Sequence, residues 1–142
     1  GTVEELHYHN SKTLWEEIAD INYFCDNKDP VWRVSIPPYS GAAFVEAVRR
    51  EINVEVYFDW GGGLVWVKVL EHKEEKWGSE MWALAHRYGG YAALVRAGNV
   101  KPKRTPFFDV KDPGIAWVNQ QIKHSFDPKG ILNPGKVVGA LF

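Results

Sequence analysis

The chain has 142 residues, of which 45% are hydrophobic and 14% aromatic, enough apolar side chain to bury one core and form one domain. Seventeen basic and eighteen acidic residues, interspersed and summing to −1, exclude a nucleic acid or anionic membrane held by long-range attraction. The single cysteine, Cys25, excludes an internal disulfide and favours a reducing, cytoplasmic setting, and no apolar run approaches the roughly 18 residues of a membrane span. Gly1, in place of an initiator methionine, and the polar residues after it are expected to mark the edge of an excised piece rather than a signal peptide.

The first element is expected to be a short helix, with Thr13 and Glu16 at capping-box spacing and Leu14, Ile18 and Ile21 on one face. Val31 to Ile36 alternates as a strand does, and Pro37-Pro38 stops it. Ser40 then opens a helix whose apolar stripe is Phe44, Ala47, Val48 and Ile52. Two β-rich runs, Val54 to Trp60 and Leu64 to Leu70, flank Gly61-Gly62-Gly63, a glycine run suited to the positive φ of a hairpin turn. Trp77, Met81, Leu84, Ala85 and Tyr88 signal a further helix that ends at Gly89-Gly90, and Tyr91 to Ala97 reads as the closing strand. The order β-α-β-β-α-β is the split βαβ (ferredoxin-like) pattern, an α+β fold with an antiparallel sheet carrying both helices on one face. Lys101 to Phe108 is expected to cross irregularly. Asp112-Pro113 should start a last helix, with Ile115, Val118, Ile122 and Phe126 as its buried stripe, followed by a tail.

That tail, Phe126-Asp127-Pro128-Lys129-Gly130-Ile131-Leu132-Asn133-Pro134-Gly135-Lys136-Val137, is built of turn-forming pairs around two apolar residues. As a string it resembles the C-terminal signature of FAD-linked oxidases of the vanillyl-alcohol oxidase type. Trp32 to Pro38 resembles the Trp-Arg-Leu-Ser-Val-Pro-Pro strand of one branch, the FAD-binding E subunits of glycolate oxidase. Asp59-Trp60-Gly61-Gly62 resembles the Asp-Trp-Gly-Gly hairpin of that branch, and Gly89 to Arg96 its Gly-Gly-His-Ala-Thr-Leu-Phe-Arg segment. The likeness implies a C-terminal, substrate-side domain spanning residues 1–142 of a larger flavoprotein, with the N-terminal domain that holds most of the FAD outside this chain. It implies a small 2-hydroxy acid as substrate, and as partners the chain's own FAD domain, a second flavoprotein subunit and an iron-sulfur subunit. The isolated chain is expected to be inactive. The alternative is a free-standing binding or assembly module on the same fold, since this architecture hosts many activities.

Under the resemblance, Arg33 and Arg96 are the candidates to hold the substrate carboxylate bidentately, the alternative being that both are surface arginines on β-strands. Asn133, Gly135 and Lys136 are the candidates to approach the flavin, through amide hydrogen bonds, close backbone approach and charge respectively. Tyr91 stands where that branch has His, so no acid-base role carries over, an unperturbed phenol having a pKa of about 10. His7 and His9 would point to one side of an extended segment, but with no third ligand in sequence, and with His72, His86 and His124 scattered, surface histidine is the expected state. Cys25 is expected to be a small buried residue and most of the seven Trp to build the core. Trp60, at the hairpin tip, is expected either to meet another domain or subunit or to lie as a lid on this domain's own sheet.

Overall fold

The structure is a computed structural model and describes residues 5–70, 77–98 and 112–134. Strands β1 (Val31–Ser35), β2 (Val54–Asp59), β3 (Leu64–Val69) and β4 (Tyr91–Arg96) form one antiparallel sheet in the order β2-β3-β1-β4. Helix α2 (Gly41–Glu51) joins β1 to β2, and α3 (Trp77–Arg87) lies between β3 and β4. The β-α-β-β-α-β order read from the sequence is therefore the observed one, on an α+β architecture. Helices α1 (Tyr8–Ala19) and α4 (Pro113–Phe126) flank this unit in sequence.

Period-2 alternation divides the sheet into two faces. One carries Trp32, Val34, Val65, Val67, Ala92 and Leu94, which form a single cluster with Phe44 and Val48 of α2 and Met81 and Ala85 of α3. Both helices thus cover the same face. Phe44 and Val48 are fully buried, and truncating a buried Phe to Ala costs about 3–5 kcal/mol. On the other face, Phe24 packs with Val31, Leu64 and Trp66, while Ile21 and Tyr57 sit at the margin. Phe24 ends a single 3-10 turn, Asn22–Phe24. From there to Asp29 the chain forms a strap across one end of the open face.

Local chemistry accounts for the joints. Asp59 Oδ1 accepts from Trp60 N at 2.7 Å, and the hairpin turns through Trp60, Gly61 and Gly62 at φ 52°, 61° and 93°. Helix α3 ends where Gly90 N donates to Ala85 O at 2.8 Å across Gly89, the hydrogen bond of a Schellman cap. Gly90 itself lies so close to the Ser35 carbonyl of β1 that a Cβ there would overlap it. Asp112 Oδ1 caps α4 through Gly114 N and Ile115 N, as its Asp-Pro start leads one to expect.

Four expectations are corrected. Helix α1 begins at Tyr8, not at Thr13, whose hydroxyl donates to His9 O at 3.0 Å from inside the helix. On α4 the apolar stripe is exposed: Ile115, Val118, Ile122 and Phe126 face solvent, Phe126 at 82%. Cys25 is exposed, its thiol 3.4 Å from Ile21 O. Of the Trp side chains described, Trp32 and Trp66 are buried and Trp82 is half-buried, whereas Trp15, Trp60 and Trp117 are exposed. The crossing segment 101–108 lies outside the described residues.

Candidate functional site on the open face of the sheet

The face opposite α2 and α3 is laid out in three cross-strand rows. Register places Glu55, Lys68, Val31 and Arg96 in one row, Tyr57, Trp66, Arg33 and Ala93 in the next, and Asp59, Leu64, Ser35 and Tyr91 in the third. The β4 end of the first row is irregular, with a register shift beside Val31.

Three cations project from this face, and their surroundings differ. Lys68 is 3% exposed, with Glu55 at 2.6 Å and Asp26 at 3.4 Å, and its ammonium stands 5.2 Å from the Phe24 ring. Burial pulls the Lys68 pKa down, but the hydrogen bonds and charges of Glu55 and Asp26 outweigh it, and the net shift is upward. Arg96 donates through Nε to Asp29 O at 2.8 Å and through Nη2 to Phe24 O at 2.6 Å. These two cations fasten the strap to the sheet. Arg33 does neither. Half-buried in the middle row, it makes no ion pair or hydrogen bond among the described residues; its guanidinium lies 5.2 Å from the centre of the exposed Trp60 ring.

The middle row continues with two aromatic residues, half-buried Tyr57 and buried Trp66. Tyr57 stacks on Trp66, rings 6.3 Å apart and 28° from parallel, and its hydroxyl reaches Ile18 O at 3.4 Å. Burial, and then the nearby Asp59 charge, push the Tyr57 phenol up to about 12. Trp66 Nε1 is buried with no hydrogen-bond partner among the described residues. Tyr91 is exposed at the end of the third row.

The tail is organised separately by Asp127, 6% exposed at the C-cap of α4. Its Oδ1 accepts from Ile131 N at 3.0 Å, and its Oδ2 accepts from Leu132 N at 2.8 Å and from the Lys123 ammonium. Lys123 also donates to Leu132 O at 2.6 Å. Lys123 first, and then the two backbone amides, hold the Asp127 pKa down against the opposing effect of desolvation. Asn133 follows this knot, exposed and at φ 46°.

Arg33 and Arg96 therefore stand on the same face in neighbouring rows, one open and one engaged by backbone carbonyls. Gly135 and Lys136 lie outside the described residues. His7 precedes α1 and His9 lies within it, so they do not share one side of an extended strand. No group of three or more His, Cys, Asp or Glu converges among the described residues as a metal would require. Sequence reasoning missed Lys68, although a lysine inside the apolar run Leu64–Val69 is a readable signal of a buried, paired charge.

Comparison with known proteins finds similarity to FAD-linked oxidases. Residues 109–137 match the family model of the C-terminal domain of FAD linked oxidases. The chain is 28% identical over 131 residues, 90% of its length, to glycolate oxidase subunit GlcE of Escherichia coli strain K12, of which it covers 32%. Over 67 residues, 47% of this chain and 14% of the relative, it is 40% identical to an uncharacterised FAD-linked oxidoreductase of Mycobacterium tuberculosis, found in two strains. No solved structure matches. The chain spans about a third of the length of the first relative and less of the others.

The sequence matches show the chain to be similar to the C-terminal domain of FAD-linked oxidases. Within that class, the similarity that runs along nearly the whole chain is to a glycolate oxidase subunit. FAD is the cofactor of the class. The described residues fit one wall of a flavin site: an aromatic sheet face with an open cation, and a preformed turn ending in an exposed amide. No helix among the described residues is long and apolar enough to cross a membrane.

Proposed function

We propose that the chain is the substrate-side domain of an FAD-dependent 2-hydroxy-acid oxidase or dehydrogenase of the glycolate type, one domain that completes a flavin site held mainly by a separate FAD domain. The observation that carries this reading is Arg33, a half-buried guanidinium on the open sheet face with no protein acceptor among the described residues. Its planar fork matches a carboxylate bidentately. FAD, when bound, supplies the acceptor for the two electrons leaving the hydroxyl-bearing carbon. This chain binds and orients. Arg33 holds the acid's carboxylate, while Tyr57, Trp66 and Trp60 form the aromatic floor and rim that limit water. Arg96 acts at one remove, fixing the strap that walls one end of the face. Asn133, Gly135 and Lys136 approach the flavin from the tail, Lys136 as a charge favouring the reduced anionic ring. Selectivity for a small acid follows from the wall and rim.

The test is made on the full-length protein with its FAD domain. Flavin absorbance should bleach on anaerobic addition of glycolate or lactate, and Arg33→Met should raise the apparent KM about tenfold to a hundredfold, the scale of a lost charge-assisted pair. Unchanged KM in that variant, or a product that binds no flavin, overturns the reading.

A second reading concerns assembly. The exposed apolar positions of α4, with Ile131 and Leu132 of the tail, favour docking onto the FAD domain or a partner subunit, a second flavoprotein or an iron-sulfur subunit. A cytoplasmic setting agrees with the lone, exposed thiol.

A further inference from the structure

We infer that Trp60 is the positioning residue for Arg33: the β2–β3 turn is built to set this indole against the guanidinium, so that the arginine waits in the orientation that a small carboxylate needs. This rests on the proposed carboxylate role of Arg33 and adds to it the device that makes Arg33 specific.

Three observations on the turn carry the inference. Trp60 holds φ 52°, a left-handed conformation that a bulky residue adopts only when its surroundings enforce it. Asp59 Oδ1 enforces it by accepting from Trp60 N at 2.7 Å, and Gly63 N closes the turn on Trp60 O at 3.2 Å. The turn is then anchored to the body of the domain. Ile36 N donates to Gly63 O at 3.0 Å, and Gly41 packs so tightly on the Gly62 carbonyl that a Cβ would stand 2.8 Å from it. A strained, anchored backbone ends in an indole that is 66% exposed and buries nothing of its own core. The contact it makes is with Arg33, 5.2 Å from its ring centre.

The physical effect is orientation. A long arginine side chain on a sheet face samples many rotamers and loses that freedom when it binds an anion. Lys68 and Arg96, on the same face, are immobilised by carboxylates and carbonyls. Arg33 has the indole instead. A π face attracts the guanidinium without occupying its N–H donors, so the cation is held while its hydrogen-bonding edge stays available. An aromatic shelf thus fixes an arginine while leaving its whole hydrogen-bonding edge able to bind.

The experiment measures binding without turnover, by calorimetric titration of the full-length flavin-loaded protein with oxalate, a carboxylate that has no C–H to give up. Trp60→Leu is expected to weaken oxalate about fivefold to tenfold, Trp60→Phe to restore most of the loss, and Trp60→Leu to have no further effect in an Arg33→Met background. Thermal unfolding should move little in any of these, which separates positioning from folding. Arg33→Met with unchanged affinity for oxalate would remove the carboxylate role and the inference with it. A weakened Arg33→Met beside an unchanged Trp60→Leu would leave that role standing and overturn the inference alone. Equal losses from Trp60→Leu with and without Arg33 would overturn it as well, since the indole would then act independently of the guanidinium.

Discussion

Arg33 and Arg96 occupy adjacent rows of one sheet face, yet replacing each by Met should cost the fold very different amounts. Arg96→Met removes two charge-assisted hydrogen bonds, to Asp29 O and Phe24 O, and leaves both carbonyls without that donor beneath a strap that includes the fully buried Phe24. At about 1.5–3 kcal/mol for each bond to a charged group, and allowing for relaxation, a loss of about 3 kcal/mol is expected. For a domain of this size that corresponds to roughly 10 °C in Tm. Arg33→Met removes one half-exposed cation–π contact, about 0.5–1 kcal/mol, so Tm should fall by roughly 2–3 °C. Thermal unfolding of the 142-residue chain, followed by Trp fluorescence and circular dichroism, provides the comparison; Arg96→Lys, a single point charge in place of a fork, should recover less than half of the loss. Equal destabilisation by the two Met variants, or an Arg96→Met protein within about 2 °C of the parent, would refute the division of labour between the arginines.

Gly90→Ala should destabilise the chain by about 2–3 kcal/mol in urea, because the new methyl overlaps the backbone carbonyl of Ser35 in the paired strand and relief requires the backbone to shift. A tyrosinate absorbance titration should show one of the six Tyr ionising at about 12, and Tyr57→Phe should remove that step. Because its folded pKa is raised from 10.0, the Tyr57 contribution to stability is fully present below pH 10 and is lost as the pH rises toward 12. Asp127→Asn should abolish hydrogen-exchange protection of the Ile131 and Leu132 amides while leaving the β1 amides protected. The depressed carboxyl of the parent gives the same loss only at low pH: its stabilisation is present above the ordinary value of 3.8 and disappears as the pH falls through the lower folded value.

The sheet, both of its covering helices and the hairpin were legible because each rests on local signals: alternation, Pro37-Pro38, a glycine run and Gly89-Gly90. Arg33 was legible as a candidate from its motif. The engagement of Arg96 was not, since its acceptors lie 67 and 72 positions away and no sequence period encodes a contact of that kind. The stripe on α4 was read correctly as apolar and wrongly as buried: amphipathic spacing states which side of a helix prefers to leave water, not whether this chain supplies the cover. At Thr13 the capping pattern misled because a threonine hydroxyl satisfies itself equally well on a carbonyl one turn back inside a helix. Cys25 follows a 3-10 turn on the outer side of the strap, where small size does not secure burial.

The Asp127 knot gives the tail a portable shape. One carboxylate gathers two amides and an ammonium within the span from Lys123 to Leu132, so among the described residues these hydrogen bonds are local to the loop and the helix end that carries it. A surface that receives Asn133 meets a rigid plug rather than a loose string, and most of the ordering entropy of docking has already been lost in folding. Whatever surface the tail fits therefore receives a loop whose turn is set before contact, at the end of a helix whose apolar side is still uncovered.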